Sequence, residues 1–273
     1  MKVGMERERL DALLVRQGHV QSRERARALI MEGKVLVDGV KLEKPGTQVP
    51  VQAKVRLLGD DLPFVSRGGL KLAKAIATFG LTLQEKIAAD IGASTGGFTD
   101  CALQNGAKRV YAIDVGYGQL AWKLRTDPRV INMERTNARY LQPENLPEAM
   151  DFISIDVAFI SLEKVLPVAY QLLTTNGQIV ALIKPQFEAG RSLVGKKGVV
   201  KDPKVHAMVI AKVLRFATDM QLKPIGLTYS PVKGPEGNIE YLVLLAKGVT
   251  SSEIVVDEQV QVVVQAAHDA LDG

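Results

Sequence analysis

The chain has 273 residues, 47% of them hydrophobic and 24% charged, with a formal net charge of +5; this is the make-up of an ordinary folded protein with enough apolar material for a core, and it excludes a disordered chain. No apolar run approaches the roughly 20 residues needed to cross a bilayer, and the opening MKVGMERERL lacks the apolar centre of a secretory signal, so a cytoplasmic protein with no membrane partner is expected. A single cysteine, Cys101, excludes an intrachain disulfide, and three scattered histidines, His19, His206 and His268, point away from a metal site.

The charge is unevenly spread. Residues 1–60 hold 12 Lys/Arg against 8 Asp/Glu, leaving 23 against 22 for the remainder. A small basic module joined to a near-neutral larger part suggests that the first holds a polyanion while the second does chemistry. From Arg7 to Gln17, Leu10, Leu13 and Leu14 fall at helical spacing and Gly18 stops the run. Ser22 can cap a second helix in which Ala26, Leu29 and Ile30 face inward and Gly33 closes the end, so that Arg23 and Arg27 share a face one turn apart. Val35-Leu36-Val37, Asp38-Gly39 and Val40-Lys41-Leu42 then read as a hairpin, and Lys54 to Leu58 as a further strand. Two short helices with an arginine-studded face followed by VLVDG, within SRERARALIMEGKVLVDG, resemble the S-four-like RNA-binding domain found in a ribosomal protein and on several RNA-modifying enzymes. Over about residues 6–60, the resemblance implies contact with structured RNA through Arg7, Arg9, Arg23, Arg27 and Lys34. The expected division is a front domain at 1–60, a linker at 61–66 inside the polar, Pro-containing GDDLPFVS, and a catalytic domain at 67–273.

The larger part opens with a helix from Gly69 to Gly80, placing Leu72, Ile76 and Phe79 on one face and Lys71 and Lys74 toward another. Its central stretch, KIAADIGASTGGFTDCALQNGAKRVYAIDV at 86–115, combines an apolar run ending at Asp90 and Gly92, a Gly96-Gly97 turn, a helix, and a second apolar run ending at Asp114. In a doubly wound sheet a carboxylate so placed at the end of the second strand can take both hydroxyls of a ribose lying over the glycine turn. The spacing Gly92-x-x-x-Gly96-Gly97 is not the one that accommodates a pyrophosphate, and Asp90 would set a negative charge beside one. S-adenosylmethionine, cationic and without phosphate, suits the turn better. Cys101 on the helix reads as buried filler.

Farther on, Gly118 to Leu124 reads as a short helix, Val130 to Met133 as a third strand and Asp151 to Asp156 as a fourth. Ser161 caps a helix to about Leu173, Asn176-Gly177 turns the chain, and Ile179 to Ile183 forms a fifth strand that runs into Lys184. Asp202-Pro203 begins a long helix through Met220, Pro224 to Ser230 and Ile239 to Leu245 are two more strands, and residues 251–272 carry a stripe of Val256, Val260, Val263, Val264, Ala267 and Leu271 that suits a closing helix. Asp156 and Lys184 thus end successive strands at the edge that holds Asp90 and Asp114, the edge at which open α/β sheets bind ligands.

Taken together, DIGASTGGFTD, YAIDVGYGQLAWKLR, ERTNAR, SIDVAFISL, IKPQFE and GNIEYL resemble the TlyA family, ribosomal RNA 2'-O-methyltransferases once described as hemolysins, with an FtsJ-like catalytic domain. The likeness runs nearly end to end. It implies an α/β fold, with a Rossmann-like, doubly wound, mostly parallel seven-stranded methyltransferase sheet behind a small α+β RNA-binding domain. It implies S-adenosylmethionine held by Asp90, Gly92, Ala93, Ser94, Gly96, Gly97 and Asp114, with Asn137 beside the adenine, and ribosomal RNA or a ribosomal subunit as partner. The family's Lys-Asp-Lys-Glu tetrad carries over as Lys71, Asp156, Lys184 and Glu240. A ribose 2'-hydroxyl is a poor nucleophile at neutral pH, so a base must take its proton; Lys184 is expected to be that base, Asp156 to orient it, and Lys71 and Glu240 to position the ribose. Three rival expectations are a membrane-active hemolysin, which no spanning segment supports, a non-catalytic RNA-binding or assembly factor, which would not need the tetrad, and another RNA-modifying enzyme with the same front domain, such as a pseudouridine synthase, which the cofactor unit disfavours.

Overall fold

Strands that are apolar on both faces need cover on both faces. In the computed structural model, which describes residues 6–20, 22–58, 62–248 and 257–272, that demand is met in the larger of two compact units, Met1–Pro63 and Phe64–Gly273.

The front unit comprises β1 (Arg7–Arg9), α1 (Leu10–Arg16), α2 (Arg23–Met31), β2 (Val35–Val37), β3 (Val40–Lys41), β4 (Gln48–Pro50) and β5 (Val55–Leu57). Leu10, Leu13 and Leu14 of α1 and Ala26, Leu29 and Ile30 of α2 bury against Val35, Val37 and Val49 in a small core. Ser22 caps α2 by accepting from the Arg25 N–H at 3.2 Å. The expected first helix is shorter than the spacing suggested, because Arg7-Glu8-Arg9 is extended and pairs antiparallel with Pro50, Val49 and Gln48. The helix starts only at Leu10, whose N–H is taken by the Thr47 carbonyl.

The larger unit runs α3 (Gly68–Phe79), β6 (Ile87–Ile91), α4 (Gly97–Gln104), β7 (Arg109–Ile113), α5 (Trp122–Arg125), β8 (Val130–Met133), β9 (Met150–Ile155), α6 (Leu166–Leu172), β10 (Leu173–Ile183), α7 (Pro185–Glu188), α8 (Pro203–Asp219), β11 (Leu222–Tyr229), β12 (Tyr241–Lys247) and α9 (Asp257–Leu271). Its seven strands lie in the order β11-β12-β10-β9-β6-β7-β8. Neighbours from β10 to β8 are parallel, whereas β12 is antiparallel to both β10 and β11. Successive residues point to opposite faces, so Ala88, Val110 and Phe152 join the core under α3 and α4 while Ala89, Tyr111 and Ile153 join the core with α6, α8 and α9. Three layers result, with the strand ends left open to hold a site.

Departures from the expected elements have local causes. Gly118, with φ of +74°, donates its N–H to Glu134 at 2.8 Å, so the chain turns there and α5 waits until Trp122. Ser161 caps a single 3-10 turn at Leu162–Lys164, and α6 restarts at Leu166 with Pro167, which has no N–H to donate, in its first turn. Strand β10 begins six residues early and loops out around Asn176-Gly177, since Leu173 pairs with Met150 but Gln178 with Phe152. Of the expected linker at 61–66, residue 61 lies outside the described residues, while Phe64 is buried and the Val65 N–H is held by Asp100 at 2.8 Å within the larger unit. Residues 251–256, with Val256, also lie outside the described residues; α9 is described from Asp257. Among the described residues no helix is long and apolar enough to cross a membrane.

Candidate active site

The strand order reverses between β6 and β9, and in an open α/β sheet the crevice at that reversal is where ligands bind. The chain leaves β6 through Gly92, φ +87°, and a Cβ on Gly92 would stand 2.3 Å from the Asp156 carbonyl oxygen. Only glycine permits so close an approach at that backbone angle. The Asp156 N–H in turn donates to the Ile91 carbonyl at 2.9 Å, so the first residue after β9 is fastened to the end of β6.

From this fixed point the four tetrad residues form one chain of ion pairs. Lys184, leaving β10, places Nζ 2.5 Å from Asp156 Oδ1. Lys71 of α3 places its Nζ 3.5 Å from Asp156 Oδ2 and donates to Glu240 Oε2 at 2.7 Å. Glu240 reaches the same edge because β12 runs antiparallel, so its start lies where the parallel strands end. Side-chain exposure is 10% for Lys71, 19% for Asp156, 11% for Lys184 and 2% for Glu240. Charges this buried persist only when paired, and two ammoniums alternating with two carboxylates satisfy that condition. All four line a cavity of about 360 Å³ together with Gly92, Ala93, Ser94 and Gly97.

Ala93 and Ser94 also line a neighbouring recess with Asp114, Gly116, Asn132 and Glu134. Asp114 is held there by the N–H groups of Ser94 at 2.8 Å and Gly116 at 2.7 Å, which leaves each carboxylate oxygen with further acceptor capacity. No lysine or arginine lines this recess. Three expected ligand contacts are placed otherwise. Asp90 is 1% exposed and turns onto the α4 side of the sheet, where it accepts from the Thr99 N–H (2.9 Å), the Thr99 hydroxyl (2.7 Å) and the Ser154 hydroxyl (3.2 Å). It holds the first turn of α4. Gly96 lies against Leu124 and Leu120, whose methyl groups a Cβ would meet at 2.3 and 2.8 Å, so it makes room for packing. Asn137 caps a 3-10 turn by accepting from the Arg139 N–H at 3.1 Å and lines neither cavity.

Burial pushes the Asp90 carboxyl up from its ordinary 3.8 to about 7, with the Asp156 charge adding to the rise and the Thr99 and Ser154 bonds opposing it. Between those values the folded chain keeps a proton that the unfolded chain has lost, so this group's contribution falls as pH rises from about 4 to about 7. Asp90→Asn is therefore expected to flatten the loss of stability across that window by a few kcal/mol, on the scale of about 1.4 kcal/mol per pH unit. Urea unfolding of both proteins at several pH values tests this, and equal slopes would refute it.

In the front unit the expected RNA-contacting arginines are gathered by a residue that the sequence did not single out. Asp11, fully buried, accepts from Arg9 Nε and Nη2 (both 3.0 Å), Arg23 Nη2 (3.0 Å) and Arg27 Nε (3.2 Å). Arg9 above all, then Arg23 and Arg27, hold the Asp11 carboxyl well below the usual carboxylate range. The three guanidinium side chains remain about half exposed, at 44%, 51% and 51%. Arg7 donates instead to the Gln48 carbonyl, and Lys34 pairs with Glu32, so neither belongs to this cluster. Asp11 looked like an ordinary acid in the first turn of a helix, where the helix dipole alone would favour it.

Glu188 was likewise missed. Buried at the end of α7, it accepts from the Ser161 hydroxyl and the Leu162 N–H, both at 2.7 Å, and so ties the segment after β9 to the segment after β10. Burial pushes its carboxyl up. The histidines expected to be scattered are not all apart: His206 Nδ1 lies 3.1 Å from His268 Nε2 and 2.8 Å from the Tyr241 hydroxyl.

Comparison with known proteins agrees with this architecture. The FtsJ-like methyltransferase model matches residues 64–247, and the S4 domain model matches residues 8–55. The chain is 49% identical over 269 residues to the Bacillus subtilis protein YqxC, provisionally named an rRNA methyltransferase, covering 97% of this chain and 95% of that one. It is 45% identical over 240 residues to a Mycobacterium tuberculosis protein named 16S/23S rRNA (cytidine-2'-O)-methyltransferase TlyA, covering 88% and 90%. A solved Streptococcus thermophilus structure bearing a provisional hemolysin name superposes with a TM-score of 0.78 at 46% identity, over 98% of each chain. With the methyltransferase sheet, the tetrad edge and these matches in agreement, the chain belongs to the FtsJ-like methyltransferases and, within them, to the TlyA family with its S4 domain in front.

Proposed function

We propose that this chain methylates a ribose 2'-hydroxyl of ribosomal RNA with S-adenosylmethionine as donor, and that its front unit holds structured RNA in the cytoplasm. The observation that carries the reading is the unbroken series Glu240, Lys71, Asp156, Lys184, with its last member adjoining the glycine turn. In the recess, Asp114 would take the ribose hydroxyls of the donor, and Gly92, Ala93 and Ser94 would lie along it. Asp114 keeps acceptor capacity for hydroxyls, and a lining with no basic residue suits a ligand that lacks phosphate. When bound, S-adenosylmethionine supplies a methyl group already activated on a positively charged sulfur.

The protein's own part is to place and deprotonate the hydroxyl. In its neutral form Lys184 takes the 2'-hydroxyl proton onto Nζ as the oxygen attacks, and Asp156 at 2.5 Å fixes the direction of that nitrogen and stabilises the ammonium that results. Lys71 holds the other Asp156 oxygen, so the carboxylate cannot rotate freely, and Glu240 fixes Lys71 in turn. Lys71 and Glu240 also position the ribose. Holding the hydroxyl in line supplies much of the acceleration. The Arg9, Arg23 and Arg27 cluster, fixed by one buried carboxylate, presents half-exposed guanidinium groups suited to phosphates.

The reading is tested by incubating the protein with methyl-labelled S-adenosylmethionine and purified ribosomal subunits. Label on a ribose, leaving that linkage resistant to alkaline cleavage, is the expected result; label on a base, or binding of particles without transfer as an assembly factor would show, overturns it.

A further inference from the structure

A second cavity adjoins the tetrad cavity and has no part in the chemistry above. Its volume is about 820 Å³, and its charged lining is Lys196, Lys197, Lys201 and Lys233 against Glu236 and Asp272. Asp272 is already paired, with Lys233 at 2.7 Å and His268 at 2.8 Å. Among the described residues Lys196, Lys197 and Lys201 have no carboxylate partner.

A run of lysines on a loop is ordinarily a solvated surface, but this loop is fastened in place. Asn238, 2% exposed, accepts from the Val200 N–H at 3.0 Å and donates to the Gly198 carbonyl at 2.9 Å. His206, fully buried, meets the Val200 carbonyl through Nε2 at 2.9 Å. A tight turn closes the lysine pair, with Gly198 N–H donating to the Gly195 carbonyl at 2.8 Å. The segment carrying Lys196 and Lys197 is thus tied to the segment that carries Lys233, Asn238 and Glu240. Lys233 lines both cavities, so the two adjoin along that segment.

We propose that this basic cavity holds the phosphodiester backbone of the substrate RNA beside the nucleotide whose ribose enters the tetrad, an inference that rests on the function proposed above. Ammonium groups act on phosphates as point charges and carry no base preference, which suits contacts that set position and register. One inorganic phosphate would fill a small part of this volume, whereas a strand passing Lys233 meets several cations in succession. The catalytic unit then adds its own hold on RNA to that of the front unit.

The test compares the full-length protein with its Lys196→Gln/Lys197→Gln variant, neither position belonging to the tetrad or the recess. The slope of log affinity for ribosomal RNA against log salt concentration is expected to fall by about 2, roughly one per lost phosphate contact. The KM for ribosomal subunits should rise on the order of 10-fold, with kcat at saturation and S-adenosylmethionine affinity unchanged. Lys196→Arg/Lys197→Arg should keep both values near those of the unaltered protein. An unchanged slope and KM in the glutamine variant overturns the inference, as does a variant that loses binding of inorganic pyrophosphate alone. Methyl transfer by the unaltered protein tests the function itself, and the slope is read without turnover, so the two failures are told apart.

Discussion

Lys184→Ala is expected to lower methyl transfer on the order of 10²-fold or more, the usual loss when a general base is removed. Affinity for S-adenosylmethionine should change little, because Lys184 lies at the Asp156 end of the site and does not line the recess holding Asp114. The variant should also fold, since removing Lys184 leaves Asp156 still paired with Lys71 at 3.5 Å and 19% exposed to water. Lys184→Arg should recover little, because a guanidinium keeps its proton near neutral pH and its planar fork does not fit a site built around one Nζ at 2.5 Å from Asp156. The tetrad's connectivity adds a sharper expectation. Asp156 takes Lys184 on one oxygen and Lys71 on the other, so losing either lysine frees the same carboxylate. A Lys71→Ala/Lys184→Ala protein should therefore lose much less than the product of the two single losses. Single-turnover rates on ribosomal subunits compare the unaltered protein with Lys184→Ala, Lys184→Arg, Lys71→Ala and the double variant. Multiplicative losses would mean that the residues act separately, and near-normal turnover in Lys184→Ala would remove the lysine from the chemistry altogether.

The parts of this site that were legible are those the chain writes locally. Asp156 and Lys184 follow apolar runs directly, and a polar residue at the carboxyl end of a parallel strand is recognisable from one segment alone. Lys71 and Glu240 are 169 positions apart and meet only because α3 lies under the sheet and β12 enters antiparallel; their pairing came from family resemblance. Asp90 belongs to the glycine-turn motif by position, but strand alternation sets its side chain on the same face as Ala88 and toward α4. The short strand Arg7–Arg9 escaped because an edge strand of alternating charges has no apolar face to betray it, and the helical spacing of the leucines beyond it absorbed those residues. Asp11 and Glu188 were invisible for another reason. Asp11 has one partner two residues away in Arg9, but Arg23 and Arg27 reach it from the next helix, and Glu188 meets Ser161 and Leu162 from 27 and 26 positions away, so local sequence does not show that either acid is buried among its partners.

Gly92→Ala is expected to disable the site while leaving all four tetrad side chains in the sequence. The position is left-handed, φ +87°, which for a residue bearing a Cβ costs roughly 1–2 kcal/mol. The added carbon would also stand 2.3 Å from the Asp156 carbonyl oxygen and 2.9 Å from its carbonyl carbon. These are backbone atoms, so no rotamer change relieves the contact; the end of β9 has to move away from β6 by close to an ångström. Asp156 moves with it toward β10, where the contact with Lys184 is already only 2.5 Å long, so the pair has to rearrange, and a displacement of that size in a reacting group costs on the order of 10²-fold in rate. Gly80→Ala separates the two effects. Gly80 ends α3 with φ of +63°, and a Cβ there meets nothing within 4 Å, so this variant bears the dihedral cost alone. It should lose roughly 1 kcal/mol of stability and keep its turnover. Gly92→Ala should lose more stability than Gly80→Ala by denaturant midpoint and, under conditions where both are fully folded, fall about 10²-fold below it in single-turnover rate. If the two variants turn over alike, the close approach of β6 to Asp156 is not what sets the position of the tetrad.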